Sequence, residues 1–176
     1  MQATIPGKDT FIGELDGSVT ERTRAIGAAF EEAGMHCIVS DNIMGVIWDK
    51  LLVNVATGAV CGITHLPYGD MYEEEKLVAC SCAAVQEGMD VAKAAGVKLT
   101  YSNPMDVLEL ARAGLPKSFK PSILQSLEKH RPTEVGVING AVVAQGAKYN
   151  VPTPVNETLV ACVTGIERYI REYVNK

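Results

Sequence analysis

Lys50 and Asn54 stand four residues apart in WDKLLVNVATG, Trp48 to Gly58, a stretch that otherwise reads as a buried helix. On a helix Lys50, Asn54 and Gly58 fall at i, i+4 and i+8 and line one stripe, with Ile43 and Ile47 leading into it. Two readings are open. Lys50 snorkels from a partly buried helix while Asn54 bonds a neighbouring carbonyl, or the stripe faces a site where an ammonium can protonate or stabilise a developing anion. Far along the chain a second set of groups gathers: Ser122, Glu134 and Asn139-Gly140, followed by the proline-flanked VPTPVN. Glu134 follows Thr133 and reads as a capping acid in the first turn of a helix that runs from Thr133 to about Ala147. Gly140 inside that helix costs about 1 kcal/mol relative to alanine, which implies close packing against something.

The chain that must position these groups has 176 residues, 47% of them hydrophobic and 21% charged. That is enough for one good core, or for a domain plus part of a second, and the balance argues against disorder. The net charge of −5 and pI near 5.2 give no electrostatic footprint for nucleic acid or an anionic bilayer. The most apolar run, Leu51 to Pro67, is broken by Asn54, Gly58, Gly62 and His65, so no membrane span is expected. With no signal-peptide pattern at the N-terminus either, the expected location is the cytoplasm. The five cysteines form no CxxC, and Cys80 and Cys82 read as small core residues. No metal site is expected.

TFIGEL, Thr10 to Leu15, and HCIVSD, His36 to Asp41, read as short strands. Between them lies a helix capped by Thr20 and closed by Gly34. From Asn42 the periodicity is helical. It gives helices from about Ile43 to Val60, Glu73 to Ala95, Asn103-Pro104 to near Gly114, Ser122 to His130, Thr133 to about Ala147 and Pro154 to Tyr173. THLPYGDM and AGLPKSFKPS read as loops, the latter as a plain connection unless it serves as a lid over a site. The expected class is therefore mainly α. Residues 1–41 form a short β-α-β tail of a nucleotide-binding α/β domain, and residues 42–176 form a helical domain.

The order of W-x-K-x-x-x-N, R-x-T-E, N-G and V-P-T-P-x-N resembles the C-terminal domain of the ketopantoate reductase (2-dehydropantoate 2-reductase) family. The resemblance runs from TFIGELDG through DNIMGVIWDKLLVN to RPTEVGVINGAVVAQGAKYNVPTPVNETL. It implies a helical domain of the ketopantoate reductase and 6-phosphogluconate dehydrogenase-like type, preceded by a remnant of a Rossmann-type domain. The implied reaction passes hydride from NADPH to C2 of a 2-oxo acid, turning ketopantoate into pantoate in pantothenate biosynthesis. By position, Lys50 matches the general acid. Glu134 matches the glutamate that binds substrate and cofactor hydroxyls, and Asn54 and Ser122 match substrate-binding positions. Lys50 and Glu134 are then expected to face one cleft. NADP is expected to be held mainly by a nucleotide domain, because no G-x-G-x-x-G occurs in these residues and the chain reads as a fragment of a complete reductase.

The sequence departs from the family at three places. Gly58 stands where a second substrate-binding asparagine is common, Ser126 where an aspartate is usual, and Gly136 two residues after Glu134. If Gly58 widens the pocket and removes a hydroxyl partner, the substrate is another 2-oxo acid and the protein a related 2-hydroxy acid dehydrogenase. A third reading is a non-catalytic module that forms a homodimer through its helices, using the apolar stripe of LVACVTGIERYIREYV.

Overall fold

In the computed structural model, residues 9–175 are described, and they divide into two compact units, one ending at Trp48 and the other starting at Asp49. The division falls inside a helix, later than the residue 41/42 boundary expected from periodicity.

In the first unit β1 (Thr10–Ile12) pairs in parallel with β2 (Cys37–Val39), Thr10 opposite Cys37 and Ile12 opposite Val39. The crossover between them is α1 (Glu21–Glu32). Thr20 caps it with a reciprocal box: its Oγ1 accepts from the Thr23 N–H, and the Thr23 Oγ1 accepts from the Thr20 N–H. Gly34 at φ +77° ends it, as expected. Both strands are shorter than their sequence runs. Past Ile12 the close approach of Gly13 to the Ser40 carbonyl and Ile43 leaves no room for a side chain.

The second unit is all helix among its described residues. The long helix α2 (Ile43–Thr64) enters it from the first. There follow α3 (Tyr68–Glu73), α4 (Glu75–Ala94), α5 (Pro104–Arg112), α6 (Ser122–Glu128), α7 (Asn139–Tyr149) and α8 (Pro154–Tyr169). Asn103 caps α5 by accepting from the Met105 N–H, and Pro104 sits in its first turn, as expected. The chain is mainly α with a β-α-β lead-in, as its sequence implies.

Two sequence expectations need correction. THLPYGDM is not all loop, because Pro67 starts the short helix α3. The single helix expected from Thr133 to Ala147 is a 3-10 turn, Val135–Val137, and then α7, with a break at Ile138 (φ −102°, ψ −89°). Gly140 therefore lies at the start of a helix, where its propensity cost is small, and the nearest atom to a Cβ there would be the Val135 carbonyl at an ordinary 3.4 Å. By length and composition alone α2 is long and apolar enough to cross a membrane, which is no evidence that it does. Its residues Val55 to Gly62 are all buried inside the protein, which accounts for that character.

The core closes around α2. Leu52 projects onto Gly88 of α4, where a Cβ would stand 2.5 Å from the Leu52 Cδ2 and 3.7 Å from Val142 of α7. Three helices meet at that glycine. α8 is attached from a distance: the Glu87 carboxylate accepts from the Val155 and Asn156 N–H groups at 2.8 and 2.9 Å, capping a helix that has no side-chain cap of its own. The Asn156 amide continues the joint, donating to Glu87 and to the Ala84 carbonyl and accepting from Asn139 Nδ2 at 3.0 Å. Asn139 and Asn156, from the N-G and V-P-T-P-x-N motifs, are thus one buried contact between α7 and α8.

Candidate active site

Lys50 is exposed on α2, and Asn54, one turn on, is half-buried. Two contacts fix this turn of the helix in its unit. Leu52 is wedged at Gly88, and the Asp49 carboxylate accepts from the Thr100 N–H at 3.2 Å, tying α2 to the α4–α5 connection. Lys50 itself forms no ion pair among the described residues.

The stripe does not continue as an open wall. Gly58 is buried, and a Cβ there would meet the Ile123 Cδ1 at 3.1 Å. At Gly62 a Cβ would meet the Ile123 Cγ2 at 2.7 Å and Leu127 at 3.3 Å. The two glycines form a groove that takes Ile123 of α6, so the reading in which Gly58 widens a pocket is overturned: the space is filled. The same contact fixes the start of α6, whose first residue is the exposed Ser122.

The loop before Ser122 is pinned. Tyr68 N–H donates to the Phe119 carbonyl at 3.0 Å, Gly69 N–H to the Lys117 carbonyl at 2.7 Å, and the Phe119 and Tyr68 rings meet edge to face at 5.0 Å. Lys117 also pairs with Glu73 at 3.0 Å. These bonds match a plain connection rather than a lid. Beneath it Tyr68 and Thr57 share a buried hydroxyl hydrogen bond of 2.8 Å, and burial pushes the neighbouring Cys61 thiol up to about 12. Cys61 is thus kept a neutral core residue. Cys80 and Cys82 are half-buried and also raised by burial, and no cluster of metal-ligating side chains occurs among the described residues.

Glu134 precedes the 3-10 turn with its side chain exposed. It does not cap: no side-chain cap bond exists there, and it is Thr133 Oγ1 that accepts from the Val135 N–H at 3.3 Å. Its carboxylate is therefore not engaged by the helix end it was expected to cap. No ion pair joins Glu134 to Lys50 among the described residues. The link that sequence reasoning missed is the N–H of Thr133, which donates to Glu167 of α8 at 2.6 Å. Its two ends lie 34 residues apart, beyond the reach of any spacing rule.

Residues 42–167 match the family described as "Ketopantoate reductase PanE/ApbA C terminal". The chain belongs to this family. Among its ketopantoate reductase relatives, the 2-dehydropantoate 2-reductase of Archaeoglobus fulgidus is 30% identical over 158 residues, 90% of this chain and 52% of the relative. The chain thus spans about half the length of that curated relative. A ketopantoate reductase crystal structure from Ralstonia eutropha superposes with a TM-score of 0.80 at 28% identity, over 94% of this chain and 54% of that one. D-Mandelate dehydrogenase in a ternary structure with NADH and anilino(oxo)acetate gives a TM-score of 0.80 at 25% identity, over 92% of this chain and 67% of that one.

Proposed function

We propose that this chain is the substrate-binding and catalytic helical part of a cytoplasmic NADPH-dependent reductase that converts a 2-oxo acid, ketopantoate, to the 2-hydroxy acid, pantoate. The observation that carries the proposal is Lys50: an exposed cation on a helix whose later turns are buried in the core, in a chain of the ketopantoate reductase family. As the 2-oxo carbonyl is reduced its oxygen becomes an alkoxide, which the Lys50 ammonium stabilises and protonates. Asn54 and Ser122 offer neutral hydrogen-bonding groups that hold the carboxylate and hydroxyl ends of the substrate. A bound dihydronicotinamide supplies the hydride. The residues present fit that cofactor to the extent that Glu134 offers an exposed carboxylate, unused as a helix cap, to accept from its hydroxyls.

In the complete protein that carries these residues, Lys50→Ala lowers kcat by about 10²-fold or more, the scale for losing a general acid. An unchanged kcat reduces Lys50 to a packing role. Ser122→Ala acts mainly through KM, as expected of a contact that already exists before the transition state.

A second reading is favoured by one observation. The stripe offers no polar group beyond Asn54, since Gly58 lies under Ile123. With no partner there for the terminal hydroxyl of ketopantoate, the protein reduces 2-oxo acids lacking that hydroxyl at least as well, as a related 2-hydroxy acid dehydrogenase. Comparing kcat/KM for ketopantoate and 2-oxoisovalerate separates the readings, and a strong preference for ketopantoate restores the first. A homodimer through the helices belongs to the same proposal: Tyr169 and Tyr173, whose rings stack 5.6 Å apart, are both exposed at the end of α8. Sedimentation of wild type and a Tyr169→Glu, Tyr173→Glu variant tests it.

A further inference from the structure

Glu134 sits in a segment held at both ends by one face of α8. At its start the Thr133 N–H donates to Glu167 at 2.6 Å, and at its end Asn139 Nδ2 donates to Asn156 at 3.0 Å. Asn156, Leu159, Val163 and Glu167 recur at helical spacing, the first three buried and the last half-buried, so the two polar anchors and the apolar residues between them form one stripe. Along α8 the anchors are about 16 Å apart at 1.5 Å per residue, whereas an α-helix from Thr133 to Asn139 rises only about 9 Å. Between the anchors the segment is a 3-10 turn and a break at Ile138, not a continuous α-helix. The Asn156 anchor is the stiffer, because Glu87 and Ala84 fix the asparagine from α4. At the other end a cavity of about 200 Å³ opens beside the segment, lined by Arg131, Pro132, Glu167 and Ile170 among others. On that side the Glu167 carboxylate is the polar anchor of the backbone next to Glu134, beside the buried Val135.

We propose that Glu167 is a positioning residue: it fixes the backbone next to Glu134 and so sets where the Glu134 carboxylate points. The functional half of this claim rests on the reading of Glu134 as the residue that binds cofactor hydroxyls. The structural half does not. Glu167→Ala removes the acceptor, while Glu167→Gln keeps a carbonyl oxygen in the same place and should rescue.

In the full-length protein, hydrogen exchange and kinetics are measured on both variants and on Glu134→Ala. Expected for Glu167→Ala are faster exchange at Thr133 and Val135–Val137, unchanged protection at Val142 and Val163, and a KM for the dinucleotide raised about tenfold with a smaller change in kcat, the scale of losing one hydrogen bond to a charged group. Glu167→Gln stays close to wild type in both. Unchanged exchange at Thr133, exchange that rises through α7 and α8 alike, or a Gln variant that behaves as Ala overturns the positioning role. Wild-type kinetics in Glu134→Ala instead overturn the cofactor reading of Glu134, and exchange still decides the role of Glu167.

Discussion

Gly58 and Gly62 lie one turn apart on α2 and meet the same isoleucine, yet substitution by alanine should act in opposite directions. Replacing glycine inside a helix gains roughly 0.5–1 kcal/mol from backbone entropy alone. At Gly58 the new methyl meets the Ile123 Cδ1 at 3.1 Å, with the Cγ1 at an ordinary 3.6 Å, and a terminal methyl can swing aside. Gly58→Ala should therefore be neutral or stabilising by up to about 1 kcal/mol. At Gly62 it meets the Ile123 Cγ2 at 2.7 Å, with Leu127 at 3.3 Å and the Ile123 Cβ at 3.8 Å. The branch at Cβ holds Ile123 in one χ1 well on its helix, and the side chain is buried, so α6 must move as a body. Overpacking of that kind costs about 1–3 kcal/mol, more than the entropy gain. The decisive assay is a double-mutant cycle with Ile123→Ala, read by urea unfolding. With the isoleucine gone, Gly62→Ala should switch from destabilising to stabilising. A coupling of about 2 kcal/mol shifts the midpoint by roughly 1 M at an m-value near 2 kcal/mol/M. If Gly62→Ala stabilises the protein with Ile123 in place, or costs the same in both backgrounds, the groove does not seat α6 and the placement of Ser122 argued from it falls.

Other expected outcomes follow from the same contacts. Glu87→Ala strands the Val155 and Asn156 N–H groups and the Asn156 amide, and should cost about 1–3 kcal/mol by denaturant titration, with Glu87→Gln costing clearly less. In the native protein a disulfide reagent should label the exposed Cys162 rapidly, and the buried Cys37 and Cys61 only after unfolding, as thiol counting by mass shows. Burial raises the Cys61 pKa from 9.0 to about 12, so its contribution to stability is intact below pH 9 and is lost as pH rises toward 12. Cys61→Ala should accordingly lessen the fall in urea midpoint between pH 8 and pH 10.

Local chemistry made much of this fold readable. Thr20, Gly34 and Asn103-Pro104 mark helix ends by their own backbone preferences, and those ends are where the structure has them. The Lys50–Asn54 stripe was legible for the same reason, since four residues is a single helical turn. The break at Ile138 was not. Val135, Ile138, Val142 and Gly146 are all buried at helical spacing, so the apolar period runs straight through a place where the helix does not. Only Asn139-Gly140 hinted at it, and it read as a packing oddity within one long helix. The hint gains its meaning from Asn156, whose partnership with Asn139 spans 17 residues and with Glu87 spans 69. Periodicity reports which face of an element is buried, and a long-range polar contact decides where the element stops. The expected Glu134 cap failed on that distinction: the acid is beside a helix start in sequence, while the backbone there is governed by Glu167 from another helix. Motif residues recognised by their order therefore divide into two kinds. Asn139 and Asn156 hold helices to each other, whereas Lys50 and Glu134 are exposed and take no part in that packing.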